Sequence, residues 1–354
     1  MTVSVKEWVP PQETSENLDW AELTIIDLSN FDHEKEKLAH DLREAVQRDG
    51  FWAITGSGIS TEEINRHFAL GDHFFTNYSH EDKAKQLVDF PNGNYFGFKP
   101  KGEKTIFGTQ VLDNVETLNI PKFNGQYDDY YKQTFIEDFR TELAEFSRKS
   151  YEVGVKLLKL FAIILEIDEE FFVNNHLYSD LSDDHLRFMK YFPRKLSEDE
   201  KVEKIWARGH TDFGTLTLLY NQKVAGLQIK NSKGWKYVKP VEGGIICNIG
   251  DTLSFWSGGY FKSTIHRVIR PPEDQVNKPR IGAFYFFRPG DNTRINVVDS
   301  PLLKRLGLYK DIEPINGTEY VRKRVESYHN HQIYLKQDKV KFKFKQFEIE
   351  DGFE

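Results

Sequence analysis

The chain has 354 residues, a formal net charge of −7 and no basic stripe interleaved with aromatics, which argues against nucleic acid as a partner. Its 39% hydrophobic and 29% charged content is that of an ordinary globular protein, long enough to bury a sizeable core. No run of about 18 apolar residues exists to span a membrane, and the polar Met1–Trp20 lead-in lacks a signal-peptide core. The single cysteine, Cys247, lies in the apolar run Gly-Ile-Ile-Cys-Asn-Ile. No disulfide can form within the chain, so the thiol reads as buried and structural, and a reducing, cytoplasmic setting is expected. The expected partner is a small-molecule substrate; charge and composition leave the oligomeric state open.

A short strand is predicted at 23–28. Leu38, Leu42, Ala45 and Val46 then recur at helical spacing, and Gly50 stands where a helix would end. Phe51–Thr55 reads as a second strand. Ser60-Thr61-Glu62-Glu63 is a capping box opening a helix to about Asn77. Residues 79–127, rich in Gly, Pro, Asn and Lys, show no long periodic element and read as a functional loop region. Phe139, Leu143, Phe146, Val153, Leu157, Leu160, Phe161 and Ile164 predict a long amphipathic helix over 135–165.

After Leu186 the pattern changes to short runs bounded by Gly, Asn, Pro and Asp. They fall at 186–192, 215–220, 226–230, 235–238, 244–248, 252–256, 263–269 and 280–288, the signature of an all-β sandwich or barrel. A helix near Thr318–Tyr328 and an exposed strand over Lys339–Phe347, where Lys and Phe alternate, complete the reading. The division this suggests is an N-terminal α/β module with a long loop region (1–130), a scaffold helix (131–185), a β core (186–290) and a helical and extended tail (291–354).

Within the β core stand His210-Thr211-Asp212, His266 and Arg280. Two imidazoles and one carboxylate form the facial triad that holds iron(II) and leaves coordination positions open, a donor set unlike the all-oxygen sites of magnesium or calcium. His210 and Asp212 are two apart and would share a face on a strand. His266 follows 56 residues after His210, several strands on. A bare His-x-Asp is common by chance. The ordered set around it is not: Gly214, Leu216-Thr217-Leu218-Leu219, Gly226-Leu227-Gln228, Gly234-Trp235, Asn248-Ile249-Gly250-Asp251, Ser257-Gly258-Gly259, Lys262-Ser263 and His266-Arg267-Val268.

On these residues the chain resembles the isopenicillin N synthase-like branch of the iron(II)/2-oxoglutarate dioxygenases from about Leu186 to Pro289. A weaker match covers Ile25-Ile26-Asp27-Leu28 and Asp49-Gly50-Phe51; Ser57-Gly58-Ile59 stands where the family has His-Gly-Ile. The resemblance implies a mainly β (α+β) fold, a double-stranded β-helix or distorted jelly roll flanked by helices. It assigns iron to His210, Asp212 and His266, with O₂ and 2-oxoglutarate as cosubstrates and ascorbate as an accessory reductant. The activity implied is oxidation of a small metabolite, by hydroxylation or a related step, with release of succinate and CO₂.

The family's Arg-x-Ser grip on the far carboxylate of 2-oxoglutarate reads here Arg280-Ile281-Gly282, without the serine hydroxyl. Tyr191 in Met189-Lys190-Tyr191-Phe192-Pro193 stands where the family often has the Tyr of Asn-x-Tyr-Pro-Pro, and is the expected second donor. The bland reading of Arg280 is an ion pair with Glu273 or Asp274. For the substrate the candidates are Arg187, Phe287 and Asn94: an Arg, an aromatic wall and an amide suit a flat, hydrogen-bonding molecule, and fungal thymine-hydroxylating members are similar in using such a set. An iron oxidase of the same fold that does without 2-oxoglutarate, and a non-catalytic ligand-binding protein, are the competing readings.

Overall fold

The computed structural model describes residues 3–352 apart from 91–93, 95, 107–108, 133–134, 221 and 331–338. Its strands are β1 (Ile25–Asp27), β2 (Phe51–Thr55), β3 (Gly97–Lys99), β4 (Val115–Pro121), β5 (His185–Tyr191) and β6 (Ile205–His210), followed by β7 (Leu216–Tyr220), β8 (Leu227–Asn231), β9 (Gly234–Tyr237), β10 (Ile245–Ile249), β11 (His266–Ile269) and β12 (Arg280–Phe287). They form an eight-stranded sheet in the order β1-β2-β10-β7-β12-β5-β4-β3 and a four-stranded sheet in the order β6-β11-β8-β9. Apart from the parallel β1–β2 pair, neighbours in both sheets run antiparallel.

Side chains alternate between faces along a strand, and here both faces of the large sheet are buried. Phe51, Ala53, Tyr191, Leu219 and Ile246 point inward and meet Trp206, Leu227, Ile229 and Val268 of the small sheet. Trp52, Ile54, Phe188, Leu218, Cys247 and Tyr285, on the opposite face, pack under the helices. The two sheets thus enclose one core as a jelly roll, and helices Phe31–Arg48, Thr61–Asn77 and Arg140–Ile164 cover the outside with a second.

The capping box is present as predicted: Ser60 accepts from the Glu63 amide and Glu63 accepts in return from the Ser60 amide. Within the barrel and the segment before it, two predicted elements differ. Residues 252–256 form a short helix, Asp251–Trp256, not a strand. Leu253, Phe255 and Trp256 are all buried, so the apparent alternation was a helix with apolar neighbours on several sides. The region read as loop carries β3 and β4, and β4 pairs with β5 along its whole length.

Beyond the barrel, helix Gly317–Asn330 is followed by a hairpin, Lys339–Phe344 with Phe347–Gly352. Phe342 and Phe344 are half-buried, not exposed, and their rings lie about 6 Å from that of Tyr320.

Candidate active site

β6 ends at His210 and β11 begins at His266, and the two are direct partners across the small sheet. Pairing brings their rings to 4.4 Å, centroid to centroid. Asp212 follows in the turn after β6, with Oδ1 3.8 Å from His266 Nε2. One ligand atom from each of the three lies within 4.8 Å of the others.

The hydrogen bonds orient these atoms. His210 Nδ1 donates to the Arg208 carbonyl (2.9 Å) and His266 Nδ1 to the Thr264 carbonyl (3.1 Å). A carbonyl only accepts, so each Nδ1 carries the proton and each Nε2 keeps its lone pair for a metal. Asp212 Oδ2 accepts from Thr217 Oγ1 (2.6 Å) and Asn248 Nδ2 (2.7 Å), which leaves Oδ1 as the ligand atom. Burial would raise this carboxyl, but positive charge beside it at the two histidines and the two donors to Oδ2 outweigh that, holding it below the usual carboxylate range, so it is an anion. The donor set and its geometry fit iron(II).

Asp251 ties this centre to the rest of the molecule. Fully buried, it accepts from Thr211 Oγ1 (3.1 Å), Ser263 Oγ (2.7 Å) and Tyr320 OH (2.7 Å), with Arg324 Nε at 3.8 Å. Thr211 lies between two ligands and Ser263 shortly before the third. Tyr320 and Arg324 come from the C-terminal helix, which is thereby fastened to the metal loop.

Arg280 points into the barrel, 4% exposed, opposite Tyr191 in the strand register and 5.9 Å from its ring. Burial pulls its pKa down to about 10, which still leaves it charged at neutral pH. Its Nε has no hydrogen-bond partner among the described residues, and neither Glu273 nor Asp274 pairs with it: Asp274 holds the N-terminal segment at Thr14 and Ser15. A Cβ on Gly282 would lie 2.5 Å from Cε2 of Phe284, so the ring occupies the place of the family's serine side chain. Arg280 lines a small pocket with Leu219, Leu227, Val238 and Ile246, whereas Tyr191 lines the main cavity.

That cavity, roughly 200 Å³, opens beside His210 and Asp212. Thr117 and Asn119 of β4, Arg187 and Met189 of β5, and Trp206 and Arg208 of β6 form its walls, and Val325 and Tyr328 of the C-terminal helix also line it. Arg187 stacks 4.5 Å over the Phe286 ring and donates from Nε to Asn119 Oδ1 (2.6 Å).

Of the three residues expected at the substrate, Arg187 lines the cavity. Phe287 does not: it faces the outer helical core, 5.9 Å from Tyr151 ring to ring, and Phe286 takes the cavity position. The strand period explains the correction, since Arg280 points inward and only even-numbered residues of β12 share its face. Asn94 is exposed and outside the cavity, its Oδ1 accepting from the Phe96 amide. The amide at the site is Asn119. Arg288 and Tyr328, given no site role from the sequence, and Asn248, noted there only within a motif, complete the surroundings.

Comparisons with known proteins agree with this geometry. Residues 169–289 match the family model of the 2OG-Fe(II) oxygenase superfamily, and residues 23–138 match the N-terminal domain described for a non-haem dioxygenase in morphine synthesis. The UPF0676 protein C1494.01 of Schizosaccharomyces pombe is 31% identical, over 86% of this chain and 92% of its own. The 2-oxoglutarate-dependent dioxygenase frbH of Dothideomycetidae sp. is also 31% identical, over 65% of this chain and 69% of its own. Among solved structures, a full-length Neurospora crassa protein in complex with alpha-KG and thymine superposes with a TM-score of 0.74 at 24% identity, covering 88% of this chain and 100% of that one. No helix among the described residues is long and apolar enough to cross a membrane. The chain belongs to the 2OG-Fe(II) oxygenase superfamily and is an iron(II)- and 2-oxoglutarate-dependent dioxygenase.

Proposed function

We propose that this dioxygenase oxidises a C–H bond of a flat, hydrogen-bonding small molecule of the pyrimidine type, with thymine the first compound to test. The observation that carries the reading is the group Arg187, Asn119 and Phe286 in one cavity with His210 and Asp212. An aromatic face, a guanidinium and an amide are what a planar ring with in-plane donors and acceptors needs. The thymine complex of the similarly folded Neurospora crassa protein supports the same class.

In this reading His210 Nε2, Asp212 Oδ1 and His266 Nε2 hold the iron. The Arg280 guanidinium receives the far carboxylate of 2-oxoglutarate, with Tyr191 beside it. When bound, iron and 2-oxoglutarate supply the oxidising power, with O₂ consumed and succinate and CO₂ released. The protein's part is orientation and exclusion. Asn248 and Thr217 fix which oxygen of Asp212 is offered. Tyr328, 5.7 Å from His210 ring to ring, and Phe213, 5.8 Å from Tyr328, keep bulk water from the reacting carbon.

The test loads the protein with iron(II) and 2-oxoglutarate without oxygen, adds thymine or related pyrimidines, admits O₂ and measures succinate and products by mass. Succinate in proportion to O₂ consumed, with a product one oxygen atom heavier, is expected. Stimulation by other flat compounds but by no pyrimidine would overturn the substrate class; O₂ uptake without succinate would overturn the role of Arg280.

A further inference from the structure

The cavity is also lined by Lys99, Lys104, Arg208 and Arg288, which this scheme does not use. Arg288, directly after β12, is 5% exposed and lines the cavity. Its Nε and Nη1 are buried without a hydrogen-bond partner among the described residues. The charge of Arg288 is felt by Asp183 and Asp184, yet neither carboxylate forms an ion pair with it. Asp184 is committed elsewhere: it accepts from the Arg288 backbone amide, and its Oδ2 lies 3.6 Å from Lys122 Nζ.

A largely buried guanidinium without an anion is costly, and such groups are normally paired. The chain makes room for this one. At Gly214, two residues past Asp212, a Cβ would lie 2.4 Å from Arg288 Nη1 and 2.8 Å from its Cδ. The Phe287 carbonyl oxygen would lie closer still, at 2.3 Å, so the missing side chain admits the end of β12 and the Arg288 side chain together. The guanidinium then lies 5.6 Å from the Phe286 ring and 6.0 Å from that of Phe213, so the ring at the proposed substrate site and the metal loop both border it. Arg208, also in the cavity wall, adds positive charge, stacked 3.9 Å over Tyr328.

We infer that Arg288 receives a carboxylate carried by the organic substrate, so that among flat ring compounds of the proposed class an acid is preferred to its neutral counterpart. The planar fork of a guanidinium matches a carboxylate, and the pair gains strength in a site sheltered from water. This deepens the substrate reading above and rests on it, because the acid docks in the same cavity as the ring that Phe286 and Arg187 hold.

The experiment measures binding, not turnover. Full-length protein loaded with iron(II) and saturating 2-oxoglutarate, under anaerobic conditions, is titrated with matched acids and amides: orotate and orotamide, benzoate and benzamide, indole-3-acetate and indole-3-acetamide. At least one acid is expected to bind about tenfold or more tightly than its amide, as a buried charge-assisted contact implies. R288Q removes that preference while 2-oxoglutarate affinity stays unchanged, and R288K, which keeps the charge, retains part of it. If no acid binds tighter than its amide, the inference is overturned, whatever the oxygenase does with neutral pyrimidines. If R288Q weakens 2-oxoglutarate instead of the acid, Arg288 belongs to the cosubstrate and the inference is likewise overturned. Should R288Q fold poorly, the wild-type acid-to-amide ratio and R288K still decide.

Discussion

The two ends of the jelly-roll interior are built on opposite plans. At the metal end each ligand side chain is held by hydrogen bonds: one carbonyl for each imidazole, two donors for Asp212 Oδ2, and Asp251 beneath the loop. At the Arg280 end the guanidinium stands mostly among apolar side chains, beside Tyr191 and with Tyr220, Gln222 and Lys239 also in the lining, and Gly282 is overlaid by Phe284. The first plan fixes the position of an atom closely before anything binds. The second fixes only a charge and leaves its partner to the ligand. Preorganisation is therefore concentrated where coordination geometry matters and is sparse where a flexible diacid must be caught.

This contrast can be broken from either side. The largest effect is expected from His210→Ala and Asp212→Ala, which should abolish iron retention and turnover, a loss beyond the roughly 10–100-fold that an outer partner typically costs. Metal analysis after gel filtration reads it; full iron occupancy in both variants would remove the triad from its role. Next, Arg280→Ala should raise the 2-oxoglutarate requirement on the order of 30-fold or more, since an unpaired buried carboxylate costs at least about 2 kcal/mol, while iron stays bound. An unchanged requirement would mean that the cosubstrate lies elsewhere.

Asn248→Ala should weaken iron binding about 10–100-fold, by freeing Asp212 Oδ2 to rotate. A titration with wild-type affinity would show that the metal end is no better determined than the other. The smallest effect belongs to Gly282→Ser. The added Cβ must displace the Phe284 ring, at a cost of about 1–3 kcal/mol, seen as a lower melting temperature. Combining it with Phe284→Ala should give less than the sum of the two losses; strict additivity would mean that the ring does not exclude the serine.

The sequence made the triad legible because its members sit in a run of turn and strand signals whose order is specific. What it hid was mostly parity and context. Arg280 already implied that Phe286, not Phe287, faces inward, since the strand period is two. Nothing local could choose Asn119 over Asn94, because that choice depends on β4 pairing with β5, and Val115–Pro121 was masked by the Gly- and Lys-rich stretch before it. β6 went unnoticed although it delivers His210: Ile-Trp-Ala-Arg-Gly-His alternates weakly, with Arg208 turned into the cavity. Thr-Leu-Ser-Phe-Trp looked like a strand because apolar residues alternate at 253 and 255, yet Asp251 in the first turn supports a helix start. Arg288 could not be singled out at all. An Arg beside a Pro is unremarkable until its nitrogens prove to be bare.

The attachment of the C-terminal helix to Asp251 makes one wall of the vestibule and the metal loop parts of a single hydrogen-bonded unit. Tyr320 and Arg324 reach the same carboxylate that holds Thr211 and Ser263, and Val325 and Tyr328, further along the same helix, line the cavity. A change that loosens the helix therefore loosens the metal loop with it.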